Sequence, residues 1–564
     1  PQSYSSAKVR AIFRGALKTA GDDSSRCDRG NAVTTGSEII GAALAQAGAS
    51  HAFGIPGGEV LSLMQGLDAA GLHFVLVKHE NSGGFMAEGL WHTSGALPVL
   101  VATLGPGVAN AVNVVANAMQ DRVPLIFLTG CVDAAEAETY THQIFDHQAM
   151  LRPVVKGSFR LAAGAVGAGM AKAIALATSG QPGPVHVDVP IGVAEAEAQE
   201  APVPPAQPFA LGLPAARDLA LALAILTGSQ RPLILAGVDA VNDKIGAALA
   251  QFCRNHAIPL ITTYKGKGLL DEADPLCLGG AGLSPKADSI VMPLMAQADC
   301  ILLVGYDPIE MRIGWRNPWR SDQSVIELAC VPRTHGMHRA SLSLTGALGE
   351  TLAALAHQAP PRWPQGQPIA ARSALKAAFS GPETWGAHTV FRTLREVMPA
   401  DTLITADSGA HRILVSQMWD CPAPRLMLQS SGLCTMACAV PLAAGAKMGR
   451  PDAPVLAFVG DAGLEMGAGE LATLAALGLP VVICVLVDNC LSLIEMKQRA
   501  SQRPALGVTF SGTDFPALAR AFGGHGVKVS DAHNLGEEAR NALKRPRFTL
   551  IAAEIPRRAY DGAF

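Results

Sequence analysis

Short apolar runs separated by longer stretches of helical period make up most of the chain. HFVLVKHE (73–80), PVLVATLG (98–105), VPLIFLTG (123–130) and PVHVDVP (184–190) come first. RPLILAG (231–237), IPLITTY (258–264), CILLVGY (300–306) and SVIELA (324–329) follow, and DTLITADSG (401–409), APVLAFVGD (453–461), LPVVICVLVDN (479–489) and RFTLIAAE (547–554) complete the set. Their length and flanking turn residues predict strands. They are apolar without strict alternation, so both faces of each sheet should be covered. Amphipathic stretches such as 36–48 and 517–523 lie between them. Strand alternating with helix predicts parallel sheets with helices on both faces.

Two stretches break the pattern, EAEAQEAPVPPAQPFALGL (195–213) and QAPPRWPQGQPIAAR (358–372). Both lack an apolar period, and proline removes backbone donors, so both read as linkers. Three blocks remain, 34–195, 210–357 and 373–564. The expected fold is α/β, with three doubly wound parallel-sheet domains and no short internal repeat.

Composition narrows the class. Of 564 residues, 49% are hydrophobic and 16% charged, which argues for large buried elements and against disorder. A net charge of −3 offers no basic excess for nucleic acid. The eleven cysteines form no CxxC pair. Cys434 and Cys438 have no second pair at zinc spacing, so a cysteine zinc site is not expected, and free thiols in a reducing cytoplasm are. No run reaches the ~18–20 apolar residues of a membrane span. The polar segment 1–31 lacks the apolar centre of a secretory signal and reads as an arm.

The sharpest chemical signal is VLAFVGDAGLEMGAGELATLAALGLPVVICVLVDN (455–489). One apolar strand ends in Gly460-Asp461-Ala462-Gly463, a helical stretch follows over 470–477, and a second strand ends in Asp488-Asn489. Neighbouring parallel strands would each deliver an oxygen at their carboxyl ends, where open α/β sheets bind ligands. Gly460 and Gly463 would let backbone approach a phosphate. A following helix start suits an anion. The Asp461 carboxylate, the Asn489 amide oxygen and the Leu491 carbonyl are hard ligands suited to Mg²⁺ alongside a phosphate.

This segment resembles the thiamine-diphosphate motif, Gly-Asp-Gly followed some two dozen residues later by Asn-Asn. Ala462 and Asp488 depart from it, while Asp461 and Asn489 stand at the metal-ligating places. Further upstream, Lys78-His79-Glu80 with Ala87-Glu88-Gly89 resembles the acetolactate synthase family's Arg-His-Glu strand end and Ala-Glu-Gly helix. Phe53-Gly54-Ile55-Pro56-Gly57-Gly58 and Gly105-Pro106-Gly107 followed by Asn110 resemble the same family's glycine motifs. The resemblance runs from Thr34 onward.

It implies a thiamine-diphosphate- and Mg²⁺-dependent enzyme, with a pyrimidine-binding, a central and a diphosphate-binding domain. Glu80 becomes the carboxylate set against the aminopyrimidine, where it favours the imino tautomer that takes the thiazolium proton. Pro56, Gly57, Gly105, Asn110, Cys434, Met436, Gly460, Asp461, Ala462, Gly463, Asn489, Leu491 and Ser492 become cofactor contacts. Met436 lies under the bent cofactor, and the Cys434 carbonyl accepts from its amino group. Glu80 of one chain meets Asp461 of another across a homodimer, within an expected homotetramer. Gln143, with Lys156 following, matches a substrate-pocket glutamine. His142, Asp146 and His147 read as a polar helix near the pocket.

Ile494-Glu495 stands where pyruvate decarboxylases carry Ile-Glu, and Lys497-Gln498 fits catabolic acetolactate synthases. Glu495 is thus either an acid–base group over the cofactor or a helix-surface residue. In the central block, 304–310 is similar to the catabolic synthases' Gly-Tyr-x-Pro-x-Glu. FAD or ADP there stays open, with no flavin expected. Lys265-Gly266-Lys267-Gly268 reads as a surface turn or a phosphate loop. Trp315 and Arg316 read either as binders of a substrate carboxylate or as structural residues.

The expected reaction is decarboxylation of a 2-oxo acid with carboligation, using pyruvate to make acetolactate. The alternatives are a decarboxylase releasing an aldehyde and a silent cofactor-binding relative.

Overall fold

A computed structural model describes residues 34–198, 200, 203, 210–356 and 362–564. The reading of 1–31 as an arm lies outside the described residues, as does part of each expected linker. Residues 35–564 hold together as one unit.

Three six-stranded sheets organise that unit, and every pairing within them is parallel. The first runs His73–Leu76, His51–Ile55, Val99–Ala102, Ile126–Cys131, Val185–Pro190, Gly157–Arg160. The third runs Met427–Gln429, Leu403–Ala406, Val455–Gly460, Val482–Val487, Thr549–Glu554, His525–Val529. In sequence order both read 2-1-3-4-6-5. The central sheet runs Cys277–Gly280, Leu260–Thr262, Pro232–Ala236, Cys300–Val304, Ser324–Ala329, Leu342–Thr345, or 3-2-1-4-5-6. Each order reverses beside the sheet's first strand, which opens a crevice at the carboxyl ends there.

The outer sheets are joined through two helices whose backbones nearly touch. A Cβ on Gly89 of the helix Glu80–Ser94 would lie 2.2 Å from the Leu442 carbonyl oxygen. One on Gly445 of the helix Ala439–Gly449 would lie 1.9 Å from that of Met86. Glycine is required at both positions by this approach. The helix Glu80–Ser94 is buried over nearly its whole length, which fixes the position of its first residue, Glu80.

The linker reading needs one correction. The helix Gln367–Phe379 starts inside the stretch 358–372. Pro368 stands in its first turn, where a missing N–H costs nothing. Trp363 is buried and donates its indole N–H to the Pro232 carbonyl at 2.8 Å.

The 265–268 reading is corrected as well. Lys267 is buried and Lys265 nearly so. Lys267 pairs with Glu272 at 2.7 Å, and Lys265 with Asp121 at 2.9 Å and Glu88 at 3.8 Å. Asp121 also accepts from the Gly432 N–H at 3.0 Å, so Lys265 sits where all three sheets' domains meet. Glu310 accepts from the Lys265 N–H at 3.0 Å, and burial pushes its carboxyl up to about 7.

A carboxyl whose folded pKa is raised stabilises the fold at low pH and loses that contribution as pH rises through the folded value. Glu310→Gln should therefore leave the unfolding midpoint unchanged at pH 4. At pH 8 it should raise stability by about 3 kcal/mol. Equal midpoints for the two proteins at pH 8 would show that Glu310 carries no such burden.

At the central sheet's crevice, Asp239 and Asp307 follow adjacent strands. Asp307 accepts from Arg122 Nε at 2.9 Å and from Gln181 at 2.9 Å, and Asp239 pairs with Arg333. Arg122 and Arg333 hold the Asp307 carboxyl below its usual range against its burial. The chain's own side chains thus pair with both carboxylates at this crevice. Trp315 is fully buried in the core, a structural setting, whereas Arg316 is exposed.

Candidate functional site

In the third sheet the order reverses between Leu403–Ala406 and Val455–Gly460, and a cleft with roughly 700 Å³ of empty space opens there. Its walls come entirely from residues 408–560. Two nine-residue helices begin at it, Ala410–Met418 and Ser492–Ala500, and their free N–H ends favour an anion.

Asp461 opens the helix Asp461–Gly467 directly, earlier than the helical stretch expected at 470, and is 3% exposed. Its Oδ2 accepts the Asn489 N–H at 2.7 Å and the Asp488 N–H at 3.1 Å, and its Oδ1 accepts that of Ala462 at 2.8 Å. The two strand ends are thereby tied together. Asn489 takes a left-handed turn, φ 52°, a conformation asparagine tolerates better than most residues. Its Oδ1 is buried without a hydrogen-bond partner, which a protein rarely permits at a purely structural position.

Burial raises Asp461 and pushes Asp488 up to about 6, and the Asp461 charge adds to the latter. A divalent cation would favour the ionised form of both. The donor set of one carboxylate and one orphaned amide oxygen, beside two helix N-termini, fits Mg²⁺ on a diphosphate. The Leu491 carbonyl accepts from Ile494 and Glu495 in its own helix at 2.9 and 3.0 Å. Asp461 and Asn489 could hold a cation, and the Leu491 carbonyl keeps a second lone pair that could join them. Ser492 also lines the cleft and bonds Asp488.

The two glycines also lie close to neighbouring side chains. A Cβ on Gly463 would lie 1.9 Å from Oδ2 of Asp407, a buried carboxyl pushed up to about 6, and one on Gly460 would meet the His411 ring at 3.3 Å. Packing against Asp407 demands glycine at 463, while Gly460 faces a ring that itself lines the cleft.

Sequence reasoning missed Ser408, Gly409, Ala410 and His411, which all line the cleft. Burial lowers His411 to about 3, and its Nε2 has no partner, so it is a neutral ring with one unused nitrogen. The available signal was DTLITADSG, an apolar strand ending in Asp-Ser-Gly before a helical stretch. That is the same strand–turn–helix pattern found at 455–467.

Cys434 and Met436 line the cleft's other side from a turn in which Cys434 has φ 58°. The helix Pro106–Asp121 supports this turn, with Asn113 bonding the Thr435 hydroxyl at 3.1 Å and Asn117 accepting from Ser430 at 2.6 Å.

Glu80 is 4% exposed and follows the N-cap His79. Asn110, on the same supporting helix, donates to its Oε2 at 3.0 Å. Gly107 is pressed on Oε1, where a Cβ would lie at 3.2 Å. Gly105 takes φ 68°, and a Cβ there would strike the Gln143 carbonyl at 2.5 Å. Gly57 packs on Thr103, leaving 2.3 Å for a Cβ, and Pro56 precedes it after the strand His51–Ile55.

The structure thus brings Glu80, Asn110, Gly105 and Gln143 together at the first sheet. It separately gathers Cys434, Met436, Gly460 to Gly463, Asp461, Asn489, Leu491 and Ser492 at the third. Glu80 does not line the Asp461 cleft. A second, more open cleft holds Asn81, Asn110, Thr435 and Met436, so Met436 borders both.

Two residues stand apart. Lys156 donates to the Ser179 and Gln181 carbonyls, a structural use. Glu495 is buried, held by Arg499 Nε at 2.9 Å to both oxygens, and absent from the cleft's lining. Its burial corrects the reading as a helix-surface residue. Its helical spacing pairs it with Arg499, four residues on. His147 is buried, while His142 and Asp146 are exposed.

Comparison with known proteins agrees with these two half-sites. Residues 34–150 match the N-terminal TPP binding domain of the thiamine pyrophosphate enzymes, 219–355 their central domain and 407–553 their C-terminal TPP binding domain. The acetolactate synthase large subunit of Parasynechococcus marenigrum is 30% identical over 556 residues, 93% of this chain and 88% of that protein. A probable 2-ketoarginine decarboxylase of Pseudomonas aeruginosa is 30% identical over 541 residues, 92% and 93% of the two chains. An acetolactate synthase of Bacillus subtilis is 26% identical over 549 residues, again 92% and 93%. The chain belongs to the thiamine pyrophosphate enzyme family, as an acetolactate synthase-like, thiamine-diphosphate-dependent carboligase/decarboxylase.

Proposed function

We propose that this enzyme, with Mg²⁺, decarboxylates a 2-oxo acid and joins the remaining fragment to a second carbonyl compound, with pyruvate in both roles and acetolactate as product. The observation that carries the metal and diphosphate assignment is the buried, unpartnered Asn489 oxygen beside Asp461 at the ends of adjacent strands. When bound, thiamine diphosphate supplies the electron sink that lets a 2-oxo acid lose CO₂.

The chain's residues do the rest. Asp461 and Asn489 hold the cation, and the helix starts at 410 and 492 receive the diphosphate. Met436 gives the cofactor an apolar support. Glu80, fixed by Asn110, holds a proton against the pyrimidine. Burial of both carboxylates keeps water from competing for these contacts. Gln143, carried by the turn that packs on Gly105, faces the substrate.

The proposed working unit is a homodimer, paired into a homotetramer in the cytoplasm, with domains at 34–195, 210–357 and 373–564. Support for the dimer is that the Asp461 cleft draws all its walls from residues 408–560 while Glu80 lies elsewhere. No flavin is proposed, since Arg122, Gln181 and Arg333 pair with both carboxylates at the central crevice.

The 2-ketoarginine decarboxylase relative, as similar as the nearest synthase reported above, favours a second reading in which the product is an aldehyde. Incubation with 2-oxo acids, with and without carbonyl acceptors, and product identification by mass separates the two. Acetolactate from pyruvate supports the first, and CO₂ release with aldehyde alone supports the second.

For the metal, Asp461→Ala should weaken Mg²⁺-dependent cofactor binding at least about 100-fold, because changes behind a ligand already cost about 10–100-fold. Calorimetric titration checks it, and unchanged affinity would remove Asp461 from the site.

A further inference from the structure

The strand His73–Leu76 passes into the helix Glu80–Ser94 through three residues, Val77, Lys78 and His79. Val77 still belongs to the sheet, its N–H donating to the Gly54 carbonyl at 3.1 Å. Lys78 and His79 are exposed, so side-chain packing does not place them. Yet their backbone sets where the helix begins and hence where the Glu80 carboxyl points. An error of about 1 Å in the place of a reacting group can cost about 100-fold in rate.

What holds these two residues comes from the far end of the chain. Oε1 of Glu470 accepts the Lys78 N–H at 2.9 Å and the His79 N–H at 3.1 Å. Glu470 opens the helix Glu470–Ala476 of the third domain and is 1% exposed. Its Oε2 accepts the Thr473 hydroxyl at 2.7 Å, one turn along that helix, which orients the carboxyl. A buried carboxyl is costly without donors. Two of the three that Glu470 has are backbone N–H groups of the first domain.

The two segments approach closely. A Cβ on Gly469 would stand 3.2 Å from that of Lys78. Lys78, His79 and Glu470 line the same cleft as Asn110, which bonds the Glu80 carboxyl. Glu470 does not line the Asp461 cleft.

We propose that Glu470 is a positioning residue for Glu80. Its carboxyl, in the third domain, fixes the 78–79 turn of the same chain's first domain, and through that turn the direction of the Glu80 side chain. This rests on the reading of Glu80 as the activating group.

The experiment reads turnover and amide exchange in the full chain. Glu470→Ala should lower kcat by about 10- to 100-fold and leave thiamine diphosphate affinity, titrated calorimetrically with Mg²⁺, near the parent's. Glu470→Met fills the same space without accepting a hydrogen bond and should be as slow, which covers the case in which the alanine variant does not fold. Glu470→Gln keeps an oxygen for both N–H groups and should retain most of the turnover. A residue that acts only through Glu80 costs nothing more once Glu80 is gone. The double variant Glu80→Gln/Glu470→Ala, or its Glu470→Met counterpart, should therefore be no slower than Glu80→Gln alone. Losses that multiply instead make Glu470 a packing residue and overturn the proposal, as does parent-like kcat in both Glu470→Ala and Glu470→Met. The Lys78 and His79 amides should exchange at least about tenfold faster in Glu470→Ala and Glu470→Met, and at the parent's rate in Glu470→Gln. Unchanged exchange in Glu470→Ala and Glu470→Met overturns the tether. Full turnover by Glu80→Gln with the expected exchange pattern overturns the reading of Glu80 and supports the tether alone.

Discussion

Glu80→Gln should lower turnover by about two to four orders of magnitude, the usual worth of a positioned proton-transfer group. Cofactor affinity should change little. The amide keeps the side chain's shape, and Asn110 can still meet one polar atom of it. What disappears is a carboxyl able to hold a proton against the pyrimidine. Burial makes the site strict, because with 4% exposure no solvent water stands ready to replace the group. Glu80→Ala should be as slow and should bind cofactor somewhat less well. Asn110→Ala should cost less, since it loosens the carboxyl without removing it. Steady-state turnover beside calorimetric cofactor titration separates these outcomes. Full turnover by Glu80→Gln and Glu80→Ala with cofactor bound would take the activating role away from this residue.

Mixing two dead variants should restore activity. If Glu80 of one protomer serves the Asp461 cleft of its partner, a heterodimer of Glu80→Gln and Asp461→Ala chains contains one site with both natural residues and one with neither. Random reassortment makes half the dimers mixed, so about a quarter of the parent activity should return. A site built within one chain returns none, since every chain then carries a lesion in its own site. The structure makes this worth asking, because Met436 borders both the Asp461 cleft and the cleft that holds Asn110. Unmixing and remixing the variants in mild denaturant, with the parent chain treated alike, gives the measurement.

The twelve apolar runs all became strands, and all but the edge strand His73–Leu76 are buried along nearly their whole length, which needs a continuous apolar sequence. Five of the six sheet strands that no apolar run announced lie at sheet edges: Gly157–Arg160, Cys277–Gly280, Leu342–Thr345, Met427–Gln429 and His525–Val529. An edge strand pairs on one side only and is short or mixed in polarity, as GSFR and HGVKV are, so it leaves no such run. The sixth, His51–Ile55, carries Gly54, whose missing side chain lets it lie 2.0 Å (at Cβ) from the Val101 carbonyl oxygen.

The cofactor-site residues were legible where a motif is continuous in sequence, as at 460–463 and 488–492, or at 78–80. His411 was not, since its role depends on the Leu403–Ala406 strand lying beside Val455–Gly460. Nor could sequence alone distinguish a surface turn from a buried one at 265–268. The carboxylates that pair with Lys265 lie over 140 residues away.

The chain's order of residues settled the α/β class, the parallel sheets and the strand-end carboxylates, because backbone period and turn chemistry are local. Tertiary structure alone decided that Glu495 faces Arg499 and that Asn489 keeps an unused oxygen. It also decided that Gly463 lies against Asp407 and that His147, His186 and Asp188 close into one hydrogen-bond network. Those outcomes turn on which distant side chain arrives within hydrogen-bond reach, and only packing of the three sheets fixes that.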